Sequence, residues 1–141
     1  MLDNEKFIRK LYTYAEGQGI DTQKFVSMFS DEGYMLDMAS GMKFRGQAIG
    51  DSIAGLASAF PDLHRELLSI YVAENVVVVE TAIRGTHKGE LTLASGNVAP
   101  TGKAIDVPSC DVFHLESGKI ISFHCYNAAS VMQQQLGLVS N

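Results

Sequence analysis

Beyond Pro61 the chain changes its period, and that change constrains the fold more than any other feature. Four segments follow it: His64 to Ala73, Val76 to Lys88, Lys103 to Leu115 and Lys119 to Tyr126. They are rich in β-branched and aromatic residues, and apolar positions alternate with polar ones, as a half-buried strand requires. Ser117-Gly118 marks a tight hairpin between the last two. Before Pro61 the apolar residues recur at helical spacing instead. Phe7, Leu11 and Tyr14 form one stripe of a helix over Asn4 to Glu16, and Ile8, Tyr12 and Ala15 form the neighbouring stripe. Asp3 is its N-cap, and Gly17-Gln18-Gly19 breaks it. Asp21 caps a second, short helix carrying Phe25, Met28 and Phe29. A short strand over Gly33 to Met38 is followed by a return over Met42 to Phe44. A third helix, Gln47 to Phe60, turns Ile49, Ile53, Leu56 and Phe60 inward, and Pro61 stops it. A last helix over Ala128 to Leu136 ends at Gly137.

Helices first and long strands afterwards predict an α+β fold. A curved antiparallel sheet packs against N-terminal helices and encloses a pocket, where a small ligand binds. The 141 residues read as one domain, 1–141, without repeat or linker. The formal charge is −5 and no block of Lys or Arg forms a stripe, which argues against nucleic acid and anionic membrane as partners. The longest purely aliphatic run, Val76 to Val79, is too short to span a bilayer. Charges break the opening MLDNEKFIRK before any apolar run, so it does not read as a signal peptide. Cys110 and Cys125 make no disulfide framework, and a cytoplasmic location is the expectation. No paired histidine or cysteine spacing points to a metal.

One residue breaks the strand pattern chemically. Ile105, Val107, Phe113 and Leu115 share a face, and Ser109 and Asp111 lie between them on it. A carboxylate on an apolar face is costly unless paired, protonated or beside a polar cavity, which makes Asp111 a candidate site residue.

Several pieces of sequence resemble the SnoaL-like polyketide cyclases, a family of the nuclear transport factor two-like superfamily. They are Phe60-Pro61-Asp62-Leu63, Gly85-Thr86-His87-Lys88-Gly89-Glu90, Pro100-Thr101-Gly102-Lys103, Asp111-Val112-Phe113, Gly118-Lys119-Ile120 and Gln134-Gln135-Leu136-Gly137. The resemblance implies a cone-shaped α+β fold, a deep apolar pocket, dimers, and cofactor-free acid–base chemistry on cyclic or polyketide-like substrates. Asp111 resembles the acid of the related ketosteroid isomerases that stays protonated and donates to a developing oxyanion. Asp37 resembles their general base; the plainer reading is a residue capping the Ser40-Gly41 turn. Tyr12 resembles their oxyanion-donating tyrosine, with Tyr14 as its competitor; a helical tyrosine at core spacing also packs. His87 is an acid or base by chemistry, or a strand-end histidine bonded to a loop carbonyl. Cys125 stands where the cyclases often carry their proton-transferring aspartate, and Ala128 where relatives often have a further acid. A buried thiol is a poor base, so Cys125 reads as a packing residue. Thr81, Phe113, Phe123 and Cys125, with Tyr14, are expected along the pocket.

The function expected is enolisation next to a carbonyl, leading to isomerisation or aldol cyclisation of a small apolar or aromatic molecule, with no cofactor. A binding protein without catalysis is the alternative, and a hydrolase or dehydratase a weaker one. A homodimer is expected through the outer sheet face, carrying Val76, Val78, Ala82, Val112 and Tyr126.

Overall fold

A computed structural model of the chain describes residues 3–93 and 95–138. Asp3 caps α1 (Asn4–Thr13), its carboxylate accepting the Lys6 amide at 3.0 Å. Ile8, Leu11 and Tyr12 turn inward from α1, so the second predicted stripe is the deeper one. Asp21 caps α2 (Thr22–Ser27) in the same way, through the Lys24 amide at 3.0 Å. β1 (Phe29–Asp37) and β2 (Met42–Arg45) flank a turn, and α3 (Gln47–Ala59) ends just before Phe60 and Pro61. Then come β3 (His64–Ala73), β4 (Val76–Thr86), β5 (Leu91–Leu93), β6 (Gly96–Val98), β7 (Ala104–Glu116) and β8 (Lys119–Asn127). α4 (Ala129–Gln135) closes the described chain, with Gly137 in the left-handed region just beyond it.

The fold is α+β. Six strands form one open sheet in the order β2-β1-β8-β7-β4-β3, and β5 pairs with β6 as a separate hairpin. All pairings in the large sheet are antiparallel except β1 with β8. That exception makes the sheet mixed rather than purely antiparallel. A parallel pair needs a long crossover, and here residues 38–118 lie between the two strands. Gly33 allows the pairing: a Cβ there would meet the Ile120 carbonyl oxygen at 2.5 Å. The short β5–β6 hairpin was not visible as periodicity, because three residues carry too little pattern.

Two clusters make the core. The larger lies between α1, α2, α3 and the inner sheet face, with Ile8, Leu11, Phe25, Val77, Phe113 and Ile120 almost wholly buried. Phe113 and Phe123 stack at 4.4 Å between centroids, and truncating a buried Phe of this kind costs about 3–5 kcal/mol. The smaller cluster gathers Phe60, Leu63, Leu91, Ile105 and Leu136 at the other end. Among the described residues no helix is long and apolar enough to cross a membrane.

Candidate functional site

The register of the large sheet sets one row of residues side by side on its inner face. Asp37 on β1 is level with Cys125 on β8, Asp111 on β7, Val79 on β4 and Ile70 on β3. Strands sit about 4.8 Å apart, so the backbones of Asp37 and Asp111 are roughly 10 Å apart, with Cys125 between. The row on one side is apolar: Met35, Phe123, Phe113 and Val77. The row on the other side is polar: Asn127, Ser109 and Thr81.

Helix α1 crosses this face against β3 and β4. Its buried stripe lays the Tyr12 ring edge-on to Phe113, at 6.1 Å and 87°. The Tyr12 hydroxyl then donates to Asp111 Oδ2 at 2.5 Å. The tyrosine packs and finds a partner, and that partner is Asp111. Its hydroxyl is therefore engaged by Asp111 rather than free next to it.

Burial governs the protons. Desolvation raises the Asp111 carboxyl above the usual carboxylate range; the Tyr12 hydrogen bond, then Arg65, Cys125 and Ser109, work against it. Tyr12 is pushed well above an ordinary tyrosine by burial first and by the Asp111 charge second. Cys125 is pushed up to about 12, by burial and then by Asp111. A thiol held that high stays neutral near pH 7 and accepts no proton. Asp111 Oδ1 and Thr81 Oγ1 are both buried without a hydrogen-bond partner among the described residues.

Asp37 is held by three donors. Its Oδ1 accepts the Ala39 amide and the Asn127 side-chain amide, each at 3.1 Å, and its Oδ2 accepts the Ser40 hydroxyl at 2.9 Å. The turn-capping arrangement is therefore present, and Asn127 adds a link back to the row. Asn127 Nδ2 also lies 3.5 Å from Cys125 Sγ, and Ser109 Oγ lies 3.8 Å from the same sulfur.

The other candidates are placed as follows. Phe113 and Phe123 form the apolar row, and Thr81 stands in the polar one. Tyr14 is half-buried at the C-terminal cap of α1, with the Lys24 ammonium 5.7 Å from its ring centroid, and is not bonded to Asp111. The structure does not bring His87 to the row. It lies eight residues along the chain from Val79, up to about 25 Å away in an extended strand. Its ring is fully buried in the second cluster against Phe60, at 5.4 Å. His87 Nδ1 accepts the Thr101 amide at 3.1 Å and the Thr101 hydroxyl at 3.0 Å, which leaves its proton on Nε2. Parity kept His87 on a strand's inner side, but β4 runs past the end of the site.

Asp111 is 2% exposed, and Tyr12, Phe113 and Phe123 beside it belong to the larger core. Two surface clefts, of about 570 and 550 Å³, open near Phe29 and Lys119 and near Gly17 and Pro61. Neither is lined by a predicted site residue. Among the described residues no three His, Cys, Asp or Glu side chains converge as a metal site would need.

Two site residues escaped the sequence reading, Asn127 and Arg65; periodicity puts Ser109 on the Asp111 face without assigning it a role. Arg65 is half-buried on β3, level with Ile83, and its charge acts on Asp111, Tyr12 and Cys125. It donates to the Ala15 carbonyl at 3.3 Å. Its signal was the one that marked Asp111, a charge at an inward position of a strand.

The fold is thus an open mixed sheet with helices over one face and an acid–tyrosine pair buried between them. The model of the SnoaL-like polyketide cyclases matches residues 9–135, and the chain belongs to that family. AclR from Streptomyces galilaeus superposes with a TM-score of 0.81 at 18% identity, over 97% of this chain and 86% of that one. IdmH from Streptomyces antibioticus gives 0.79 at 17% identity, over 96% and 99%. A protein of ketosteroid isomerase-like fold from Catenulispora acidiphila, solved with trimethylamine, gives 0.78 at 19% identity, over 95% and 94%. At these identities the likeness establishes the fold. No curated protein matches the sequence.

Proposed function

We propose that this protein enolises a small, ring-containing or polyketide-like carbonyl compound without a cofactor. One observation carries the reading: Asp37 and Asp111 occupy one inner row, separated by the neutral Cys125. The Asp37 carboxylate takes a proton from the carbon next to the carbonyl and becomes a carboxylic acid. The electron pair moves onto the carbonyl oxygen, where protonated Asp111 donates a hydrogen bond from Oδ1. Tyr12 holds Asp111 through Oδ2, and the Arg65 charge favours the developing anion. Return of the proton to another carbon isomerises the substrate. Attack of the enolate carbon on a second carbonyl of the same molecule closes a ring, and the alkoxide takes the Asp37 proton. Cys125 packs and transfers nothing.

The second reading is a ligand-binding protein without catalysis. It is favoured by Cys125 at the family's acid position and by the three donors that occupy Asp37. Exchange of the α-protons of 2-tetralone in deuterated buffer, followed by NMR, separates the two. Catalysis predicts faster exchange with the protein, lowered roughly a hundredfold or more by Asp37→Asn and left mostly intact by Cys125→Ser. Line broadening without faster exchange would mean binding alone. Loss on Cys125→Ser but not on Asp37→Asn would overturn the assignment.

The same proposal includes a cytoplasmic homodimer that pairs through the outer sheet face. Tyr71 and Tyr126 are about half exposed there, beside Val76, Val78 and Val112. Ala82, expected on that face, is itself buried and adds nothing to it.

A further inference from the structure

We infer that His87 is a proton-operated latch: its neutral ring holds the segment leading into β7 against the end of β4, and its charged ring releases it. His87 is fully buried, and the enolisation chemistry makes no use of it. Backbone amides from both sides converge on this point. The Thr101 amide donates to His87 Nδ1 at 3.1 Å, and the Lys103 amide donates to Thr101 Oγ1 at 3.2 Å. The Gly102 amide donates to the His87 carbonyl at 2.8 Å, and the His87 amide donates to the Lys103 carbonyl at 2.9 Å. Thr101, Gly102 and Lys103 lie in no strand, so these bonds are what ties them down.

A backbone N–H only donates, so the nitrogen it meets must keep its lone pair. The Thr101 hydroxyl can reverse and accept, but the Thr101 amide cannot. Nε2 carries the ring's one proton and has no partner among the described residues. A second proton has only Nδ1 to go to, where it confronts the Thr101 N–H. The surroundings do not offset the charge. The ring lies against Phe60, in an apolar cluster that includes Leu91, Ile105 and Leu136. Helix α4 carries no charged side chain, and Asp106 on β7 is exposed and pairs with Arg84. On the flanking segments Asp62, Lys88, Glu90 and Lys103 are all exposed, and the Asp62 carboxylate is engaged by Thr86. Once the segment lifts, the imidazole meets water and takes its proton as a free histidine does, near pH ~6.5. The open form then binds one proton more than the closed form, so closure weakens as pH falls below that value.

Amide hydrogen exchange followed by NMR at about pH 7.5 and about pH 5 tests this, with protection corrected for the intrinsic rate at each pH. In the wild type the His87, Thr101, Gly102 and Lys103 amides should lose protection roughly thirtyfold at the lower pH, the factor by which a free imidazole favours its proton there. The Phe113 and Phe123 amides should keep theirs. His87→Gln should lose none, because the Gln carbonyl accepts the Thr101 amide and does not titrate. His64→Gln should behave as the wild type. Glu66 and then Glu16 raise the His64 midpoint, so its contribution to stability fades as pH rises, the opposite direction. Unchanged protection in the wild type, or an equal loss in His87→Gln, overturns the inference. Ring nitrogen shifts of the wild type test it without any variant: a His87 ring that is charged at the lower pH while the Thr101 amide stays protected would overturn it as well.

Discussion

At the scale of single residues, the Tyr12–Asp111 pair shows how burial and a hydrogen bond oppose each other. Desolvation raises the carboxyl and the tyrosine donor lowers it, and the direction shows that desolvation wins. Asp111 should therefore bind its proton more tightly folded than unfolded. Stability should then fall as pH rises from about 3.9, the free Asp value, through the raised folded midpoint. Tyr12→Phe removes the opposing hydrogen bond. It should raise the Asp111 midpoint further, and leaving Oδ2 without its donor should cost about 1–3 kcal/mol. Carboxyl-detected NMR reads the midpoint, and urea unfolding at several pH values reads the slope. An Asp111 midpoint at or below 3.9 would mean that the acid is charged and cannot donate.

Among the structural elements, two of the pieces of sequence that carry the family resemblance, Phe60 to Leu63 and Gly85 to Glu90, hold the second core together, whereas Asp111-Val112-Phe113 belongs to the acid row and the larger core. Asp62 accepts the Thr86 amide at 2.7 Å and the Thr86 hydroxyl at 2.8 Å, which ties the end of α3 to the end of β4. The Lys88 and Gly89 amides both donate to the Ala59 carbonyl. Gly89 is required by that approach, since a Cβ would meet the Ser58 carbonyl oxygen at 2.1 Å. Gly89→Ala should push the loop off α3 and destabilise the protein by about 2–3 kcal/mol, the range of an overpacked core. Urea unfolding should show the lower midpoint. The Asp111 titration should be unchanged, because the two regions belong to different clusters.

For the whole molecule, the large sheet is open and its outer face carries apolar side chains at strand spacing. Solitary exposed apolar residues are ordinary, but Tyr71, Val78, Val112 and Tyr126 lie in two neighbouring rows. A second copy related by twofold symmetry would cover them with the same surface. Light scattering at micromolar concentration should give the dimer mass. Tyr126→Asp should shift it toward the monomer, without altering the Asp111 titration on the opposite face. A monomer mass for the wild type would overturn the dimer.

Periodicity, caps and turn residues determined much of this in advance. They set β3 to the residue, β4, β7 and β8 to within two, and the N-caps Asp3 and Asp21. They also put Asp111 on the inner face, because alternation along a strand is local and one misplaced charge on an apolar face is conspicuous. What they could not determine is which strand lies beside which. The parallel β1–β8 pair brings Asp37 level with Cys125 and within reach of Asn127, and nothing local announces it. Tyr12 and Asp111 meet across 99 residues of sequence. His87 has the chemistry of a site residue but belongs to another core, because parity gives a side and not a distance along the strand. A residue's face follows from its neighbours in sequence, whereas its partners follow from how distant elements pack, and only the tertiary structure decides that.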